Sequence, residues 1–290
     1  MTGVAFALVL ASAVSHASWN FLLKRSEHKV AFLWSMALVS FVVFLVPAGI
    51  FVYRDGIDGR GIAFGCVTAV LHGAYGLALA RGYQLGDLSI VYPIARGLGT
   101  ALIPLAAILL LGESISAWGG TGIGLVVLGV LFVQLQSLHP RDLRHPVRNM
   151  GGPATLMAIL TGVFITCYSL WDKKSLDYLA PVTVNEFSMA GYVLLMPPLV
   201  LREGASSLAT EWRDRGLTII AAGVMAPLGY VLVLIALTTS RVSYVAPARE
   251  VGIVLGAVLG VLLLGEGYGR IRIFGSLFIV AGVLTLGLAP

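Results

Sequence analysis

The sequence predicts an all-α integral membrane protein of ten transmembrane helices, arranged as two inverted repeats of five. Three observations carry this. The chain is 58% hydrophobic and only 11% charged, with a mean hydropathy of +0.93, whereas a soluble domain carries about 25% charged residues. Its apolar runs are about 20 residues long, the length that crosses a bilayer as a helix and about twice that of a barrel strand. Finally, the second half repeats the first at a shift of about 153 residues, the spacing from Leu110 to Leu263.

Taken in order, the first run spans residues 3–23. Neither Lys nor Arg precedes it and Lys24 and Arg25 follow it, the reverse of a signal peptide, so it reads as a retained span. Runs at 30–53 and 61–80 come next, the latter with Gly61-xxx-Gly65 and the polar pair His72 and Tyr75. The fourth, 88–111, contains Ser89-Ile-Val-Tyr92-Pro93-Ile-Ala-Arg96, and the fifth, 117–136, is rich in glycine. Residues 137–152 form the longest polar stretch and separate a first repeat, 1–136, from a second, 153–290. Spans at 153–171, 180–201, 216–238, 243–264 and 271–289 complete the set. Gly61-xxx-Gly65, Gly120-xxx-Gly124 and Gly256-xxx-Gly260 are expected to let helices approach closely. The same Gly and Pro pairs suit a homodimer interface equally well. Cys66 and Cys167, each inside an apolar run, read as packing residues.

The repeat preserves polar and proline positions, which similarity among greasy helices does not require. Ser89 to Arg96 aligns with Ser243-Tyr-Val-Ala-Pro247-Ala-Arg249 with one gap, Leu110-Leu-Gly-Glu113 with Leu263-Leu-Gly-Glu266, Gly122 with Gly275 and Gly129 with Gly282. Five spans per repeat is an odd number, so the second repeat enters the membrane from the opposite side. Inverted repeats let two halves exchange conformations around a midplane site, as in many secondary transporters.

Arg96 and Arg249 lie deep in the fourth and ninth spans, about 10 to 13 Å along the helix at 1.5 Å per residue. A charge there is costly unless it faces the protein interior and meets a partner. Pro93 and Pro247 precede the two arginines and free backbone carbonyls nearby, as at helix interruptions that line cavities. Acidic partners are Glu250, Glu186 and Asp172. Neighbours on a helix point about 100° apart, so Glu186 is the expected partner across helices and Glu250 the second proton-linked candidate. One reading is an internally satisfied ion-pair network. The other has an arginine meeting an anionic substrate group while a carboxylate carries a proton.

His16, Asn20 and Lys24 form a polar stripe on the first span, expected to line a cavity or a helix contact. With Trp19, Tyr92 and Tyr230 they complete the candidate substrate-binding set, while Tyr168, Trp171 and Tyr244 are further aromatics. No metal or cofactor motif, phosphate-binding loop or nucleophile elbow is recognisable, so an enzyme, an ATP-driven pump and a nucleic-acid binder are disfavoured. The expected partners are a small-molecule substrate and membrane lipid.

These features resemble the EamA family of the drug/metabolite transporter superfamily. The resemblance rests on tandem five-span halves, a proline-containing fourth helix ending in Leu-Gly-Glu (Gly112-Glu113 and Gly265-Glu266), and the glycine-rich closing helix of each half. His16-Ala-Ser-Trp19-Asn20 with Lys24 adds to it. It implies a bacterial inner-membrane carrier, often an exporter of amino acids, metabolites or toxic compounds, with a cavity bordered by the fourth and ninth helices. Glu113 and Glu266 then read as capping or hinge residues. The resemblance also implies cytoplasmic termini, whereas charge argues the reverse. Twelve Lys and Arg follow odd-numbered spans (Lys24, Arg25, Lys29, Arg81, Arg141, Arg144, Arg148, Arg202, Arg213, Arg215, Arg270, Arg272). Five lie on the other side (Arg54, Arg60, Lys173, Lys174, Arg241), which would put both termini outside. The expected function is proton-coupled export of a small polar or anionic metabolite, an amino-acid-like or related compound, with a lipid or glycolipid flippase or a multidrug exporter as the alternatives.

Overall fold

A computed structural model describes residues 1–86, 88–134, 152–264 and 269–289. The described residues are helical, without strands: α1 (Gly3–Lys24), α2 (Lys29–Asp55), α3 (Gly59–Leu85), α4 (Leu88–Leu111), α5 (Ala117–Gln134), α6 (Pro153–Ser175), α7 (Pro181–Leu195), α8 (Pro197–Glu203), α9 (Ala205–Thr239), α10 (Val242–Ala248), α11 (Val251–Leu264) and α12 (Arg270–Leu288). The polar stretch 137–150, Gly151 and Glu266 lie outside the described residues, as do the side chains of Tyr92 and Pro93.

Local chemistry sets the boundaries. Thr2 caps α1 by accepting from the N–H of Ala5 at 3.2 Å, and Asp58 caps α3 by accepting from Gly61 at 2.7 Å. Pro153, Pro181 and Pro197 open their helices, where a missing N–H costs nothing. Gly112, at φ +67°, carries the chain out of α4 in a conformation most residues avoid.

Eight helices are long and apolar enough to cross a membrane, and α7 with α8, bent by 44°, makes a ninth. Three of the ten expected spans take a different form from the one expected. The span 180–201 is broken at Pro197, the span 243–264 divides into α10 and α11 just after Pro247, and the fifth is a shorter apolar helix over 117–133. The expected start at 216 coincides with a kink in α9 at Arg215, whose φ of −137° is not helical.

The helices pack as α5 on α12, α1 on α9, α3 on α6, α4 on α6, α3 on α7, α2 on α9, α2 on α7 and α1 on α11. Where α5 meets α12, a Cβ added to Gly129 would lie 2.6 Å from the Gly275 carbonyl oxygen, and one on Gly282 would lie 2.7 Å from that of Gly122. Only glycine allows such an approach. Gly61 and Gly65 serve similarly against Leu179 and Phe187. The pair on α5 does not fulfil its expected role, and of the pair on α11 only Gly256 lies among the residues whose surroundings are described. Gly120 has only Ile115 nearby, and Gly124 and Gly256 face nothing within 4 Å. Cys66 and Cys167 are exposed, not packed within the bundle.

Two faces are tied by polar contacts. On one, Glu211 accepts from the N–H groups of Glu27 and His28, and the Trp34 indole donates to the Val193 carbonyl. On the other, Glu113 accepts from Val242 and Ser243, and Lys173 donates to the carbonyls of Leu237 and Ser240.

Candidate functional site

Arg96 comes from the middle of α4, and Arg249 from the break between α10 and α11. The break falls two to three residues after Pro247: Arg249 N–H still bonds the Val245 carbonyl at 3.1 Å, but Glu250 N–H turns to the Pro247 carbonyl at 3.0 Å, a tighter turn that interrupts the helix. Arg96 is buried and meets Glu250 across helices at 3.1 Å. The expected pairing with Glu186 is therefore corrected: both carboxylate oxygens of Glu186 are buried without a hydrogen bond. The helix break is the reason, because it releases Glu250 from the direction an unbroken helix would impose.

Arg249 lies over the Tyr230 ring, 5.7 Å from its centre, and approaches His16 Nδ1 at 3.4 Å. It forms no ion pair among the described residues. His16 meets Trp19 edge-on, with ring centres 5.1 Å apart. These groups line a cavity enclosing about 800 Å³ of space free of protein atoms. Its lining is otherwise aromatic and sulfur-rich, with Tyr75, Tyr168, Tyr192, Met36, Met189 and Met196. A second cavity of about 440 Å³ lies toward the face of Glu113 and Lys173, and Glu250 lines it. Arg96, Arg249, Tyr168 and Tyr230 line both cavities and so form the layer between them.

Asn20 turns back to the His16 carbonyl at 2.8 Å and lines neither cavity, so the polar stripe of α1 reaches the site through His16. Trp171 donates to the Phe64 carbonyl at 3.0 Å and the Tyr244 hydroxyl accepts from Ser116 N–H at 3.0 Å, both outside the cavities.

Sequence reasoning underrated one cluster. Asp172 is fully buried and accepts from Thr68 Oγ1 at 2.8 Å. Its other oxygen is 2.8 Å from His72 Nε2 and accepts from the Tyr230 hydroxyl. The available signal was spacing. Thr68 and His72 stand four apart on α3 and Tyr168 and Asp172 four apart on α6, each pair on one helix face.

The arrangement is a membrane-embedded bundle around a closed polar layer, with an arginine available to an anion and an aromatic wall available to an apolar group. Residues 152–288 match the model of the EamA-like transporter family. The multidrug resistance protein Mmr of Mycobacterium tuberculosis (strain ATCC 25618 / H37Rv) is 35% identical over 81 residues, 28% of this chain and 65% of that protein. The quaternary ammonium compound-resistance protein QacE of Escherichia coli is 36% identical over 81 residues, 28% of this chain and 63% of that protein. The chain thus spans slightly under two thirds of these relatives. A solved crystal structure shares the fold, with a TM-score of 0.72 at 14% identity over 98% of this chain and 96% of that one.

Proposed function

We propose that the chain is a secondary active carrier of the bacterial inner membrane that exports a small polar or anionic, amino-acid-like metabolite by alternating access, coupled to protons. The observation that carries this is the layer of Arg96, Arg249, Tyr168 and Tyr230 between two cavities on opposite sides of it. A carrier needs such a layer, to be contacted first from one side and then from the other. Arg249 offers charge-assisted hydrogen bonds to a carboxylate or phosphate, and the tyrosines accept an apolar or aromatic remainder.

The ten-helix inverted repeat belongs to this reading. Exchanging the halves converts the contact of α1 with α9 into that of α6 with α3, α4 with α6 into α11 with α1, and α3 with α7 into α9 with α2. These contacts support the reading.

The relatives' names favour a second reading, export of drugs or quaternary ammonium compounds, and the aromatic wall suits a bulky cation. Thermal stabilisation of the purified protein by phenylpyruvate, L-phenylalanine, phenylphosphonate and tetraphenylphosphonium separates the two, since a ligand that binds the folded state raises Tm. A shift with the anionic compounds that disappears in Arg249→Ala supports the first reading. A shift with tetraphenylphosphonium alone replaces it with the second.

A further inference from the structure

Three buried carboxylates stand near the membrane interior. Glu250 is held by Arg96, so its charge is already balanced. Glu186 lines neither cavity. Asp172 is fully buried, yet two of its partners, His72 and Tyr230, line the main cavity, and Tyr230 also lines the smaller one. All hydrogen bonds of His72 among the described residues run through Nε2, to Asp172 and Tyr230. Its Nδ1 is not engaged by them.

From this geometry we propose that Asp172 and His72 together are the proton-binding site of the carrier, which rests on the transport reading above. With the ring neutral and the carboxylate ionised, Nε2–H donates to Oδ2 and the pair carries one negative charge. A proton taken from cavity water at Nδ1 makes an imidazolium. Passing the Nε2 proton to Oδ2 then gives a neutral acid and a neutral ring in the other tautomer. The pair is neutral in either form, and the proton has one address shared by two residues.

Proton binding acts on the layer between the cavities through Tyr230. Its hydroxyl is held by the Asp172 oxygen that gains the proton, and its ring lies against Arg249. Neutralising the pair weakens that hold and loosens a tyrosine belonging to both cavity walls. The titratable groups against the pair are Tyr230 from α9, Tyr192 from α7 and Tyr168 from α6 itself, and around these tyrosines stand Tyr75 from α3, Arg96 from α4, and Arg249 and Glu250 from the helix break. Lys173, the next residue, turns away to the end of α9.

The test uses full-length protein in lipid nanodiscs, without substrate, titrated between about pH 5 and pH 9, around the ordinary imidazole range. Infrared difference spectra read a protonated carboxyl, and nuclear magnetic resonance of ¹⁵N-histidine-labelled protein reads imidazolium. Uptake of a proton is expected in one signal or both, lost or displaced in Asp172→Asn and in His72→Gln, and retained in Glu186→Gln. Asp172→Asn keeps the shape of the side chain, and His72→Gln gives the same answer should the first variant fail to fold. Proton uptake unchanged in both, or abolished by Glu186→Gln instead, overturns the proposal. Because no substrate enters, such a result leaves the carrier reading standing. Failure of every compound in the stabilisation panel would instead remove that reading and leave the spectra unaffected.

Discussion

Arg96 and Arg249 stand in equivalent places in the two halves, yet their surroundings differ, and their substitutions should differ accordingly. Arg96→Ala strands Glu250 as a buried charge, and breaking a buried pair from one side costs about 3–5 kcal/mol. Arg249→Ala strands no acid and removes a contact with the Tyr230 ring worth about 0.5–2 kcal/mol. Melting curves in detergent should therefore show a large loss of stability for Arg96→Ala and a small one for Arg249→Ala, while Arg249→Ala loses stabilisation by phenylpyruvate. Equal losses of stability would mean that Arg249 has an acidic partner. The double variant Arg96→Met with Glu250→Leu should recover much of the stability lost in Arg96→Ala, since it leaves no charge behind. That both arginines face inward was legible in the sequence, because lipid forbids the alternative. Which acid meets which arginine was not. It depends on the direction Glu250 takes after the helix breaks, and no periodicity argument applies there.

Among the elements, α10 is the most dependent on residues far along the chain. It is only seven residues long, and two of its first N–H groups are satisfied by Glu113, at 2.9 and 3.0 Å, from the opposite half. A cap of this kind contributes about 0.5–2 kcal/mol. Removing it in Glu113→Ala should loosen the face that closes the smaller cavity. In a background of Cys66→Ser and Cys167→Ser, a cysteine placed at Ala246, which lines that cavity, should react faster with a maleimide when Glu113→Ala is added. An unchanged rate would assign the closure to Lys173 alone. The sequence suggested a capping or hinge role for Glu113 through its place after Gly112, but gave no hint that the helix it caps lies about 130 residues away. The breaks in the seventh and ninth spans were marked by Pro197 and Pro247. Hydropathy averages across a bend, so the run 180–201 reads as continuous in spite of Pro197. The Asp172 cluster escaped for a related reason: its members come from α3, α6 and α9, and each looks like an isolated polar residue in its own span.

At the scale of the whole molecule, the glycines of α5 and α12 tie the two halves of the chain together. Gly122 lies against Gly282 and Gly129 against Gly275, whereas the sequence repeat equates Gly122 with Gly275 and Gly129 with Gly282. Exchanging the halves turns one contact into the other. A side chain at Gly129 would meet backbone, so Gly129→Leu should cost about 1–3 kcal/mol or more. Gly256→Leu, which has open space, should leave Tm nearly unchanged. Similar losses in both would show that Gly256 packs against something outside the single chain. Neither α5 nor α12 contributes a residue to either cavity. The pair therefore holds the two halves of the chain together at a seam with no room for a side chain, and a wedge driven there would strain both halves without touching a cavity wall.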